Sequence, residues 1–207
     1  MEDSISSRIH LAVMRKGLGA TFTSKDFAHL GDLGTVRKNL DRMARSGEIR
    51  RVSRGIYDRP AFSALFASPE QPSPDAIAKA IARSHGWTLV ASGATALNLL
   101  GLSTQVPATW EYVSDGPSKE FRWSGGTLHF RHCANKEITC LSPGTALVVQ
   151  ALKALGRQSV TLDTLAAIRA RMTAADLARA LREGRYITAW VYKCLRDLAM
   201  DGERCHA

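Results

Sequence analysis

A few sets of side chains in this sequence have the types and spacing that chemistry needs. Glu111, Asp115, Lys119 and Glu120 bring three acids and a lysine together, the ingredients of a metal-dependent nuclease centre. They surround the turn residues Asp115-Gly116-Pro117, where exposed charges are common, so they read as ordinary turn charges. His129, His132, Cys133 and Cys140 offer zinc-ligand types. Their spacing matches no standard ligand pattern, and His132 and Cys133 are adjacent. Ser92-Gly93-Ala94-Thr95 is neither a nucleophile elbow nor a phosphate loop. No catalytic residue, cofactor or metal site is therefore expected. The strongest signal is of another kind. From Arg37 to Arg59 the chain carries eight Arg or Lys residues against three acids, a density suited to a polyanion.

The elements that must position these cations are readable. Ser4 caps a helix carrying Ile5, Ile9 and Val13, which stops at Gly17. Thr23 or Ser24 caps a short second helix with Phe27 and Leu30 on its apolar side. After a turn bracketed by Gly31 and Gly34, Thr35 is expected to cap a third helix. Val36, Leu40 and Met43 form its core stripe, and Arg37, Lys38, Asp41, Arg42 and Arg45 its polar side. Ile49, Val52, Ile56 and Tyr57 then form a hairpin turning at Ser53-Arg54-Gly55. Helix, short helix, turn, longer helix and hairpin is the order of a winged helix-turn-helix, which binds double-stranded DNA. Position assigns the contacts. Thr35, Arg37, Lys38, Arg42 and Arg45 face the major groove, with Arg37 or Arg42 placed for a bidentate contact to guanine. Ser24 and Lys25 hold a backbone phosphate, and Arg50, Arg51 and Arg54 contact phosphate or the minor groove from the wing. Asp41 lies on the same face and is expected to orient Arg37, Lys38 or Arg45 by pairing along the helix.

Pro60 closes this unit, giving a DNA-binding domain over residues 1–60. The proline-rich stretch Ser68–Pro74 ends a linker over 61–74. Residues 75–207 read as a mixed α/β domain: a helix at Asp75–Ser84, a strand near Trp87–Val90 and a small-residue helix at Gly93–Gly101. Strands follow at Trp110–Ser114, Lys119–Trp123 and Thr127–His132, and then several helices opened by Ser142-Pro143, Thr161, Thr173 and Thr188. The fold class is α+β.

The segment Phe22–Tyr57, with its Gly-x-Ile-Tyr ending, resembles the N-terminal winged helix of the AbiEi-type antitoxins. Residues Pro74–Leu102, including Ser92-Gly93-Ala94-Thr95-Ala96 and the run Ala96, Leu100, Gly101, Leu102, resemble the related DUF6088 group. Tyr112-Val113-Ser114 and Phe130-Arg131 fit the strand pair of that family. The resemblance covers about residues 5–155 and rests on packing motifs. It implies an antitoxin of a type IV toxin–antitoxin pair without enzymatic activity. Such a protein represses its own operon at inverted repeats, binding there cooperatively as a monomer, and opposes a nucleotidyltransferase-like toxin. Two alternatives stand beside it: a stand-alone regulator whose second domain senses a ligand or dimerises, and a DNA-processing enzyme with a winged-helix arm.

Bulk properties agree with a nucleic-acid partner. The 207 residues carry 28 Lys or Arg against 19 Asp or Glu, a net charge of +9, and 45% are hydrophobic, enough for a sizeable core. The longest apolar stretch, Leu89–Leu102, is interrupted by Ser92, Gly93, Thr95, Asn98 and Gly101, far short of the roughly 20 apolar residues of a membrane span. Met1-Glu2-Asp3-Ser4 has no secretory pattern, which points to the cytoplasm and to reduced thiols at Cys133, Cys140, Cys194 and Cys205.

Overall fold

A computed structural model describes residues 4–133 and 138–200. The chain is mixed α and β and divides into two compact units. The first runs through Trp87 and includes Phe121–Thr127; the second holds the rest of the described chain.

The first unit begins with α1 (Ile5–Met14), capped by the Ser4 hydroxyl on the Ser7 amide. Strand β1 (Thr21–Thr23) leads into a 3-10 helix (Ser24–Leu30), then α2 (Leu33–Arg45), β2 (Arg50–Ser53) and β3 (Ile56–Asp58). The three strands form one antiparallel sheet in the order β1-β3-β2, so β3 is central. The expected hairpin is present, with Gly55 at φ +77° in its turn, where a side chain would be strained. The third strand was not expected: Thr21–Thr23 is too short to show any alternation. Ile9, Val13, Phe22, Phe27, Val36, Leu40, Met43, Ile49 and Tyr57 make the core, and the Phe22 and Phe27 rings meet edge to face at 5.4 Å.

Helix α2 starts three residues before its expected origin. The Asp32 carboxylate accepts from the amides of Gly34 and Thr35, at 2.7 and 3.1 Å. Asp32 is the cap and Thr35 lies inside the first turn, because a carboxylate there satisfies two orphan donors. The Thr35 hydroxyl, together with those two backbone bonds, holds the Asp32 carboxyl below its usual range.

Two arginines of the basic stretch belong to the framework. Arg50 reaches across the register pair to Asp58, its Nε donating to Oδ1 at 3.0 Å and its Nη2 to Oδ2 at 2.5 Å. Asp58 is fully buried, and the same Nη2 donates to the Glu70 carbonyl. Arg50, expected on phosphate or in the minor groove, instead neutralises a buried carboxylate. Arg59 donates to the carbonyls of Met14 and Lys16, both at 2.8 Å, closing the C-terminal end of α1.

The expected linker is not plain linker. Phe62–Ser63 (β4) and Ser68–Pro69 (β5) pair as a small hairpin. Nor does α3 (Pro74–His85) belong with the second domain. It packs on β1 and β3, buries Ile77, Ala78 and Ile81, and sends Arg83 to the Asp26 carboxylate and the Thr21 carbonyl. The domain boundary expected at 60–75 therefore moves to Trp87. The proline-rich run marks a cap position, Ser73, and not a break in packing.

Next come β6 (Leu89–Ala91), α4 (Gly93–Leu99), β7 (Thr109–Ser114), β8 (Lys119–Trp123) and β9 (Gly126–His132), of which Phe121–Thr127 belongs to the first unit and the rest to the second, and then α5 (Pro143–Leu155). The sheet order is β6-β7-β9-β8, with β6 and β7 antiparallel. Helix α5 packs on α4 and β6, and α6 (Leu162–Arg169), α7 (Ala174–Glu183) and α8 (Ala189–Met200) complete the unit. Their starts lie where Thr161, Thr173 and Thr188 suggest. Cys133 and Cys194 are half-buried and Cys140 is exposed; Cys205 lies outside the described residues.

Arg50→Met strands the Asp58 charge in the sheet. It is expected to cost on the order of 3 kcal/mol of stability and to lower the melting temperature in calorimetry, whereas Arg54→Ala leaves it unchanged.

Candidate nucleic-acid interface

Helix α2 buries Val36, Leu40 and Met43 as its stripe requires. At about 100° per residue, the opposite side centres on Gly34, Lys38, Asp41 and Arg45. Arg37 lies on the flank toward the hairpin. Thr35, Asn39 and Arg42 lie on the flank toward α1.

Each flank is held by polar contacts. On the hairpin side, the Tyr57 hydroxyl donates to Asp41 at 2.6 Å, and Arg51 stands 3.7 Å from the same carboxylate. Asp41 thus ties α2 to the hairpin and does not orient Arg37, Lys38 or Arg45, as the helix spacing suggested. On the α1 side, Arg42 donates to the Ser6 hydroxyl and to Asn39 Oδ1, Ser6 donates to Asn39 Oδ1 at 2.6 Å, and Asn39 donates to the Thr35 carbonyl at 2.9 Å. His10 and Glu48 close the same corner at 2.7 Å. Arg42 is therefore turned toward α1 and away from the centre of the exposed face. Sequence reading missed Asn39, Ser6 and the His10–Glu48 pair, because their partners are more than thirty residues apart in the chain.

The cations that remain are few and well placed. Arg37, Lys38 and Arg45 on α2, Arg54 at the hairpin tip and Lys25 are exposed and make no hydrogen bond or ion pair among the described residues. Of the eight basic residues from Arg37 to Arg59, Arg42, Arg50 and Arg59 are taken up by internal hydrogen bonds, and Arg51 is shared between Asp41 and solvent. Ser24 does not fit the phosphate role. It is only 8% exposed, and the amide of Thr23 beside it is already occupied by Asp26 at 2.8 Å. An anion at that helix start would meet a carboxylate. Lys25 remains exposed nearby.

Elsewhere, Asp115 accepts the Thr88 amide at 2.8 Å, a structural bond at the sheet edge. Among the described residues no group of three or more His, Cys, Asp or Glu side chains is arranged to hold a metal, and no helix is long and apolar enough to cross a membrane.

Tyr57 offers a test of the α2–hairpin bond. Burial and the Asp41 carboxylate push its hydroxyl up to about 12 from an ordinary 10.0. A raised value means the folded chain holds the proton longer than the unfolded one. The stabilisation is complete below pH 10 and is lost as the pH rises toward 12. Denaturant midpoints are expected to fall across that window in the native chain, and this part of the fall disappears in Tyr57→Phe.

No curated protein matches the chain. Among solved structures, the RV2827C protein from Mycobacterium tuberculosis aligns with 96% of this chain and 77% of that one, at 13% identity and a TM-score of 0.46. The model of DUF6088, a family of unknown function, matches residues 8–177, most of the chain, and the chain belongs to that family.

Proposed function

We propose that the first unit is a winged helix-turn-helix that docks on double-stranded DNA, with α2 in the major groove and the β2–β3 hairpin as the wing. The observation that carries this reading is the division among the basic residues. Those on the flanks and in the sheet are bound internally, whereas Lys38 and Arg45 at the centre of the α2 face, Arg37 beside them and Arg54 at the hairpin tip are unpaired. Cations left unpaired on one helix face and a neighbouring turn are placed to replace counterions along a phosphate backbone. The Arg37 and Arg45 guanidinium groups can also read guanine edges. Asp41, held by Tyr57 and Arg51, is partly neutralised and adds little repulsion toward DNA.

The biological setting we propose follows from the resemblance of residues 5–155. The chain is the antitoxin of a type IV toxin–antitoxin pair. It represses its own operon at inverted repeats and opposes a nucleotidyltransferase-like toxin through the second unit.

Lys38→Ala, Arg45→Ala and Arg54→Ala are each expected to weaken binding to a duplex from the chain's own promoter. Where the lost contact is to phosphate, the salt dependence should become shallower by about 1 in log–log slope per residue. Fluorescence anisotropy across a salt series measures both. Unchanged affinity in Lys38→Ala and Arg45→Ala together would overturn the contact face. The antitoxin role is read separately, by co-expression with a nucleotidyltransferase encoded beside it. The native chain should relieve the growth arrest, and continued arrest rejects the pairing.

A further inference from the structure

The second unit contains a polar cavity of about 380 Å3 that nothing described so far uses. It is lined by β7, β9, α5 and the turn into α4, and it gathers Glu111, His129, Arg131, Gln150 and Lys153. The lining thus carries two cationic side chains, an imidazole and one carboxylate. His129 and Arg131 sit two apart on β9, so they share one face of the sheet.

Two further features mark this as a built site. Gln150 is only 4% exposed, yet its side-chain amide nitrogen has no hydrogen-bond partner. A buried donor without an acceptor costs free energy unless something else completes it. It lies on α5 among the cavity-lining residues. The turn into α4 is equally particular. A Cβ on Gly93 would stand 1.9 Å from a Glu111 carboxylate oxygen, and Gly93 has φ +55°. Only glycine lets the Glu111 carboxylate lie against that turn. The strand beneath is fixed by the Glu111 amide donating to the Thr95 hydroxyl at 2.7 Å and the Ser92 amide donating to the Glu111 carbonyl at 3.0 Å.

We propose that this cavity binds a small phosphate monoester that also carries hydroxyl groups, of the size of a sugar phosphate or a mononucleotide. An oxyanion answers two donors of the lining, the Arg131 fork and the orphan Gln150 amide. A phosphate presents more acceptor atoms than a carboxylate and more charge for the Arg131 guanidinium to balance. Glu111, which only accepts, faces the hydroxyl-bearing part of the molecule. The cavity volume falls in the range of small-molecule sites. The site lies in the second unit and is independent of the DNA-binding reading.

The test is calorimetric titration and thermal-shift measurement on the full chain with ribose 5-phosphate, adenosine monophosphate, inorganic phosphate and ribose. A saturable response to at least one phosphate ester is expected, at least tenfold tighter than to inorganic phosphate and absent with ribose. Arg131→Gln should weaken it tenfold or more. Gln150→Met keeps the shape and removes the orphan donor. It should leave the unliganded melting temperature equal or higher while weakening ester binding about tenfold, so loss of binding cannot be blamed on misfolding. Lys38→Ala, in the first unit, should leave ester binding intact. No saturable ester binding overturns the proposal. So does binding undiminished in Arg131→Gln and Gln150→Met, or inorganic phosphate bound as tightly as the esters.

Discussion

The first unit depends on where the Tyr57 hydroxyl goes. The ring is 2% exposed on the central strand of the sheet and belongs to the core with Phe22 and Leu40. A buried phenol must find an acceptor, and Asp41 on α2 supplies it at 2.6 Å. One bond therefore joins the two elements of the basic stretch, the helix and the hairpin. It also consumes the acid that would otherwise stand in the middle of a cationic face. Arg51 on the same carboxylate adds a second link from the neighbouring strand.

The basic residues of this unit divide by what surrounds them. Arg50 sits opposite a fully buried Asp58 and Arg59 beside the open carbonyls at the end of α1, so both are bound inward. Arg42 completes the Ser6–Asn39 cluster that holds α1 to α2. The positive charge left for solvent lies on α2 and at the hairpin tip. A net charge of +9 does not say where a partner would meet it. Only the pairing of each side chain does that.

The second unit is organised around α5, which rests on α4 and β6 and buries Val148, Val149, Ala151 and Leu152. Within that apolar row Gln150 is the exception, and it lies at a cavity lined by charged side chains. A long polar side chain retained among the core positions of a helix weakens packing unless it has another task. That contrast ties the fold of the unit to its proposed ligand.

By itself the sequence determined the local elements. The apolar stripe of Val36, Leu40 and Met43, the caps at Ser4, Thr161 and Thr173 and the turn glycine at 55 are short-range properties, set by spacing within a helix turn or a hairpin. The order of elements and the basic stretch were legible for the same reason. The cap of α2 was misplaced because Asp32 and Thr35 are both good caps and only the backbone path chooses between them. The tertiary structure alone decided which arginines face inward, that α3 joins the first unit, and that Glu111, His129, Arg131 and Gln150 share one cavity. These depend on groups tens of residues apart becoming neighbours. Whether a charge is exposed or satisfied is a property of its surroundings, not of its residue type.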